Sequence, residues 1–385
     1  MTSLNPLVDP APALAADRLA RYSRQLAMPG FDDIAQRRLA AARVLVVGAG
    51  GLGSASIPYL ASAGIGTIGV IDTDVVELSN LHRQVAHGTS DLGRDKVDSI
   101  ADTVREIDPH TVVTKHNVWL DSSNAMELFA DYDLVLDGSD NFATRYLVND
   151  AAALSGKPVV WGAILRYGGQ ASVAYAGHGP SYRDLFPVPP EPGNVLSCSV
   201  GGVIPTVCAI IGSIMVNEAI KLITGIGEPL IGRVTTYDSL TGRFREIPYR
   251  TIPDAAPVTE LIDYELFCGR APQVAQAPQR AESTTPTELS ELLREGGDLQ
   301  LIDVREPFEA QIATIGDAEL IPLGTVATSL GRVRRDAPVV LYCHHDTRSR
   351  YAAGILRQNG FTDVRWLEGG IDAYSVAIDQ SLTRY

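Results

Sequence analysis

The stretch Val46–Ser54, VVGAGGLGS, constrains the fold of this chain more than any other, because glycines at 48, 50, 51 and 53 join a β-branched run to a helical pattern. A helix that leaves such a turn presents unpaired backbone N–H groups to whatever lies at the turn. Glycine there permits both the tight reversal and a close approach of the backbone to phosphate. Strand-like and helix-like segments alternate around it. RVLVVG from Arg43 and TIGVID from Thr67 read as buried strands, SASIPYLASAG between them has helical spacing and ends on Gly64, and DLVLDGSDN and KPVVWGA add two more strands. This alternation predicts an α/β fold with a parallel sheet covered on both faces.

At 385 residues the chain exceeds one ordinary core and predicts roughly two or three domains. The regular pattern fades after about Tyr249, and RAPQVAQAPQRAESTTP, from Arg270 to Pro286, has the alanine, proline and glutamine content of a linker. The division expected is 1–250 for the first domain, 251–285 for a linker and 286–385 for a second, smaller α/β unit, with a helix from TELSELLREGG and strands at LQLIDV and PVVLYC. A net charge of −14 argues against nonspecific nucleic-acid or membrane partners. The four cysteines, Cys198, Cys208, Cys268 and Cys343, form no C-x-x-C pair or disulfide framework, which points to a reducing cytoplasm. No signal peptide is expected, and the apolar run Gly201–Val216, interrupted by Pro205, reads as a core helix too short to span a bilayer.

The glycine turn alone does not choose a nucleotide, since a dinucleotide oxidoreductase would use the same residues. Asp72, at the end of the next strand, places a carboxylate where ribose hydroxyls would be. SNLHRQ then supplies Asn80 and Arg83, GRDK supplies Lys96, and DGSDN supplies Asp140 and Asn141 past a strand end. Two cations, a carboxylate and amides at one crevice suit a triphosphate with magnesium better than a nicotinamide.

A second constellation lies at LYCHHDTRSR, residues 341–350. Cys343 ends an apolar strand, a helix starts near Ser349, and Arg348 completes a C-x-x-x-x-R spacing. Loop amides, a helix N-terminus and a cation together favour a thiolate over a thiol, so Cys343 reads as a nucleophile rather than a buried structural cysteine. His344 and His345 lack further partners at ligand spacing and read as loop walls, while Asp303, Arg305 and Glu306 in DVREPFEA stand at a neighbouring strand end and are expected to brace the loop. Cys208, in the apolar helix, and Cys268, near the linker, read as structural.

RYSRQLAMPGF, VLVVGAGGLG, SNLHRQ, GRDKV and DGSDNFATRYLVND, in that order, resemble the MoeB/ThiF adenylyltransferases, relatives of the ubiquitin-activating enzymes, and the C-terminal unit resembles a rhodanese. The combination, with YRDLFPVPPEPG and ELIDYELFCG, resembles the MoeZ-type adenylyltransferase–sulfurtransferases. The resemblance implies a Rossmann-like adenylating domain followed by a small α/β rhodanese domain. It implies ATP-dependent adenylation of the C-terminal glycine of a ubiquitin-like sulfur carrier of the ThiS, MoaD or CysO type, ending in Gly-Gly, followed by persulfide transfer to form a thiocarboxylate. The sulfur donor would be thiosulfate or a cysteine desulfurase.

By the same resemblance Gly51, Asp72, Ser79, Asn80, Leu81, His82, Arg83 and Lys96 would hold ATP, with Asp140 at Mg2+ and Asn141 beside it. Arg24 would reach the active site of the other subunit of a homodimer, and Cys198, in NVLSCSVGG, would form a transient bond with the carrier or resolve an acyl disulfide. Many relatives hold structural zinc with two C-x-x-C pairs. Ser181, Asp184 and the segment IPDAAP occupy the matching positions here, so no zinc is expected. Relatives also usually carry glycine where this chain has Asp346, which would bring negative charge toward the thiolate and slow sulfur transfer. A docking protein that has lost sulfur transfer, and an oxidoreductase using NAD, are the competing readings.

Overall fold

The computed structural model describes residues 5–190, 201–268 and 282–384. The chain divides between Pro272 and Gln273 into two compact units.

The first unit is built on a sheet whose strands are β1 (Arg43–Val47), β2 (Thr67–Ile71), β3 (Val112–His116), β4 (Leu134–Asp137), β5 (Val159–Leu165), β6 (Gly168–Ala174), β7 (Arg233–Asp238) and β8 (Arg243–Pro248). Their spatial order is β3-β2-β1-β4-β5-β6-β7-β8. The first five are parallel, with Val44 in register with Ile68 on one side and Leu134 on the other, and the last three are antiparallel. The parallel part is the alternating pattern of the sequence. The antiparallel extension escapes that pattern because β6 is mostly small residues and β8 is exposed along its whole length, so neither carries a buried apolar period.

The chain leaves β1 for β2 on one side and returns to β4 on the other, which opens a crevice at their carboxyl ends. Two glycines make it possible. Gly48 takes φ +91°, and a Cβ on Gly53 would lie 1.9 Å from the Gly48 carbonyl oxygen, so only glycine lets the helix Gly51–Ala63 start directly against the turn.

Behind this helix runs Pro205–Thr224, 20 residues long, mostly buried in the core of the unit. It is long and apolar enough to cross a membrane by length and composition. The sequence reading ended it near Val216. It continues because Pro205 is its first residue, where no N–H is needed, and because buried Glu218 pairs with Lys221 at 2.5 Å and accepts the Leu230 N–H at 2.8 Å.

The segment 251–285, read as a linker, is structured at both ends. Buried Tyr264 donates its hydroxyl to Asp150 at 2.6 Å, and Cys268 packs in the same aromatic core of the first unit. At the other end β9 (Ser283–Thr284) belongs to the second unit.

The second unit holds a parallel sheet of β9, β10 (Gln300–Asp303), β11 (Glu319–Leu320), β12 (Val339–Tyr342) and β13 (Val364–Leu367), ordered β11-β10-β12-β13-β9. Central β12 is buried at every residue and delivers Cys343 to the start of the helix Thr347–Gln358. The helix Pro286–Glu295 is closed by a Thr285–Glu288 capping box at one end and Gly296 in the left-handed region at the other.

Candidate active sites

At the carboxyl ends of β1 and β4 lies a cleft of about 610 Å3 lined by Gly48, Gly50, Gly51, Asp72, Asp74, Asn80, Arg83, Gln84, Lys96 and Asp140, among others. Asp72 braces the glycine turn. One of its oxygens accepts the Ala49 N–H at 2.7 Å and the other the Asp74 N–H at 2.8 Å. Burial raises its pKa, with Lys96 the strongest opposing influence. The Ala49 carbonyl faces His87 Nε2 at 3.2 Å, and His87 Nδ1 faces the Ser99 hydroxyl at 2.8 Å on the helix Lys96–Ile107. This chain of contacts fixes the helix that carries Lys96 against the turn.

Lys96 is almost fully buried, yet its Nζ reaches Asp74 at 2.8 Å, and the Asp74 side chain is 68% exposed. An ammonium held by a hydrated carboxylate can exchange it for a ligand phosphate at small cost. Across the cleft Arg145, buried on the helix Phe142–Leu154, donates to the carbonyls of Gly162 and Ser139 and so fixes the turn that leads to exposed Asp140. Buried Gln84 leaves its Oε1 without a hydrogen-bond partner at the cleft wall.

In the second unit Cys343 is buried, and its Sγ accepts the Asp346 N–H at 3.2 Å, with the Ser349 hydroxyl at 3.7 Å. Asp346 stands at φ +111°, a strained position for a residue with a Cβ. The strain turns its amide toward the sulfur. Its carboxylate meets Arg350 at 2.9 Å and the Gly369 N–H at 3.4 Å. The negative charge that the sequence placed toward the thiolate is therefore neutralised by Arg350, and what the loop offers the sulfur at this position is a dipole of the opposite sense. Asp346→Gly is expected to stabilise the second unit by about 1 kcal/mol, because relief of about 1–3 kcal/mol of backbone strain exceeds the chain entropy of glycine and a surface ion pair. A urea titration of the variant measures this, and a lowered midpoint would mean that the Arg350 contact outweighs the strain.

Arg348 donates both Nη atoms to Glu309, at 2.5 and 2.7 Å. Glu309 lies on the short helix Pro307–Ile312, which buried Arg305 holds through the carbonyls of Glu309 and Ala313 while pairing with Asp303. Asp303 and Arg305 thus brace the loop at one remove. The Glu306 amide donates to Glu309 at 2.9 Å. Burial pushes the His344 imidazole down to about 4, with His345 adding to the shift and Asp372 opposing it, so His344 is neutral at physiological pH. The His344 and His345 rings meet edge to face, 4.0 Å between centroids.

Residues 22–256 match the ThiF family, and residues 285–377 match the rhodanese-like domain. The chain belongs to the ThiF family. Its ThiF unit is followed by a rhodanese-like unit, and the likeness to relatives runs across both. A Mycobacterium tuberculosis (strain ATCC 25618 / H37Rv) protein named "Probable adenylyltransferase/sulfurtransferase MoeZ" is 49% identical over 390 residues, covering 100% of both chains. "Adenylyltransferase and sulfurtransferase MOCS3" of Drosophila ananassae is 40% identical, covering 97% of this chain and 86% of that one. The chain is an adenylyltransferase and sulfurtransferase of this kind. Among solved structures, E. coli MccB with AMPCPP and MccA matches at TM-score 0.56 and 20% identity, covering 62% of this chain and 73% of that one, and so shares the fold of the ThiF unit.

Of the residues expected at the nucleotide, the fold brings Gly51, Asp72, Asn80, Arg83, Lys96 and Asp140 to the cleft of the ThiF unit. Ser79, Leu81, His82 and Asn141 do not line it. The Ser79 carbonyl takes the Arg83 guanidinium at 3.0 Å and the His82 ring at 2.9 Å, so this turn orients Arg83 from behind. Asn141 caps a helix by accepting the Thr144 N–H at 2.8 Å. Arg24 is exposed on the short helix Ser23–Leu26 and does not line the cleft of its own chain. Cys198 lies outside the described residues. Cys208 and Cys268 are buried.

Gln84, His87 and Arg145 escaped the sequence reading. Gln84 adjoins Arg83 in SNLHRQ and had a signal in that adjacency, whereas the burial of His87 and Arg145 is visible only in the fold. Where relatives were expected to bind zinc, Asp184 accepts the Ser181 N–H at 2.7 Å and hydroxyl at 3.0 Å, and its other oxygen accepts the Ile252 N–H at 2.8 Å. The Asp184 carboxylate thus ties the Ser181 segment to the Ile252 segment.

Proposed function

We propose that this enzyme uses ATP and Mg2+ to adenylate the C-terminal glycine of a ubiquitin-like sulfur carrier ending in Gly-Gly, and then delivers sulfur to it from a persulfide on Cys343. The observation that carries the reading is the convergence of the glycine turn, Arg83, Lys96 and Asp140 on one crevice, in a chain whose other unit presents a cysteine to loop amides at a helix start.

In the first step the carrier carboxylate attacks the α-phosphate, the bond to pyrophosphate breaks, and an acyl adenylate remains. The glycine-turn amides and helix N-terminus cradle phosphate. Lys96 and Arg83 stabilise the charge that grows on the phosphoryl oxygens. Asp72 keeps lone pairs for ribose hydroxyls beyond those used by Ala49 and Asp74, and the unpartnered Gln84 Oε1 is an acceptor for a nucleotide donor. Magnesium usually takes one or two protein carboxylates and completes its shell with phosphates and water, and exposed Asp140 at the strand end fits that donor set. When bound, the ion neutralises phosphate charge. Arg24 complements the cleft of a second subunit in a homodimer.

In the second step the terminal sulfur of the Cys343 persulfide attacks the acyl carbon and AMP leaves, giving an acyl disulfide. A second thiol, assigned to Cys198, attacks Cys343 Sγ and releases the thiocarboxylate, and an external dithiol reduces the disulfide left behind. The four cysteines of the sequence form no C-x-x-C pair, which accords with a cytoplasmic enzyme. The test is to incubate the protein with ATP, magnesium, a sulfane donor and Gly-Gly-tailed carriers. The carrier should gain about 16 Da, oxygen replaced by sulfur, by mass spectrometry. A carrier that never gains this mass, with any donor, refutes the reading.

A further inference from the structure

A free guanidinium at the end of the C-x-x-x-x-R loop would draw an anionic donor toward the sulfur. Arg348 is instead bound at two points by Glu309, and both side chains are largely shielded from water. A two-point guanidinium–carboxylate pair is among the strongest charge-assisted contacts in proteins and carries no net charge. Its geometry is built in. The Glu309 helix is tied by Arg305 to the Asp303 strand end, and the Glu306 amide bonds the same Glu309 oxygen that takes one arm of Arg348. Two further acids at the loop are paired with cations, Asp346 with Arg350 and Asp372 with Arg384. His344 adds no charge at neutral pH.

We propose that Glu309 is a specificity-determining residue of the sulfur-transfer site: by holding Arg348 it withholds the loop's cation from small dianionic donors, and so favours donors of lower charge. This rests on the sulfurtransferase reading of Cys343. The Cys343 thiolate attacks the outer sulfur of the donor, a new S–S bond forms, the donor's own bond to that sulfur breaks, and the leaving group departs with the electron pair. That group is sulfite from thiosulfate, a sulfinate from a thiosulfonate, or a thiolate from an organic persulfide.

The test compares thiosulfate, a dianion, with benzenethiosulfonate, a monoanion, using the full-length protein and cyanide as acceptor. Glu309→Gln removes the negative charge that faces Arg348 while keeping the side-chain shape. It is expected to raise kcat/KM for thiosulfate about tenfold or more and to change that for benzenethiosulfonate less than about threefold, since one unit of charge acts more strongly on the dianion. If both donors are turned over and the ratio of their kcat/KM values stays the same, Glu309 is only structural and the proposal is overturned. If the wild-type protein turns over neither of these donors nor an organic persulfide, the assignment of sulfur transfer to Cys343 fails and takes the proposal with it. The wild-type salt dependence decides the case should the variant not fold. Thiosulfate kcat/KM that falls less than about twofold between low and physiological salt supports a matched charge pair, and a fall of about fivefold or more reveals an unmatched cation and overturns it.

Discussion

Lys96→Ala is expected to lower carrier-dependent exchange of pyrophosphate into ATP by about 100- to 1,000-fold, the loss seen when one fixed stabiliser of transition-state charge is removed. The lysine stem is buried and only its ammonium reaches the cleft, at Asp74, so the charge is fixed in place before the nucleotide arrives. Substitution removes that charge and also leaves the Asp72 and Asp74 carboxylates in the cleft without the cation of Lys96. Both effects act on charge, and both are larger in the transition state, where negative charge is concentrated on the reacting phosphate. Equilibrium exchange of labelled pyrophosphate measures the rate, and thermal unfolding checks that the variant is folded. A folded variant that keeps more than about a third of the exchange rate would remove Lys96 from the site.

Cys343→Ser is expected to abolish thiocarboxylate formation, at least about 1,000-fold, because an alkoxyl cannot hold a transferable sulfane sulfur. The same variant should exchange pyrophosphate within about twofold of wild type, since every described residue that lines the proposed nucleotide cleft belongs to the ThiF unit. The serine hydroxyl can accept the Asp346 N–H in place of the sulfur, so loop geometry should persist. Mass spectrometry of the carrier and the exchange assay together measure the split. Loss of both activities would mean that Cys343 is needed for folding or for adenylation, and retention of both would place the persulfide elsewhere.

The parallel core of the ThiF unit and the strand that delivers Cys343 were legible in the sequence, since continuous β-branched runs followed by glycine or polar turns have few other outcomes. The antiparallel β6–β8 extension was not, because β6 is mostly small residues and β8 is exposed throughout, so neither shows the alternation of buried apolar and exposed polar residues that marks a strand. At the nucleotide cleft the sequence identifies residues that face a strand end, such as Asp72, Lys96 and Asp140. It does not distinguish these from neighbours that work on the backbone. Asn141 looks like a ligand and is a helix cap, whereas Arg145, in the next turn, is buried and shapes the site. At the sulfur site the opposite charges of Arg348 and Asp346 were plain, but their partners, Glu309 far along the chain and Arg350 one turn on, decide what those charges do. Pairing across long separations is a property of the fold, and local spacing does not encode it.

The most direct measurement of the two-step account is a single-turnover chase. The full-length protein is loaded with sulfur-35 from a sulfane donor, freed of excess donor, and mixed with a Gly-Gly-tailed carrier with or without ATP and magnesium. The account predicts that label leaves Cys343 and appears on the carrier C-terminus only when ATP is present. Label that stays on the protein with ATP, or reaches the carrier without it, would contradict the account.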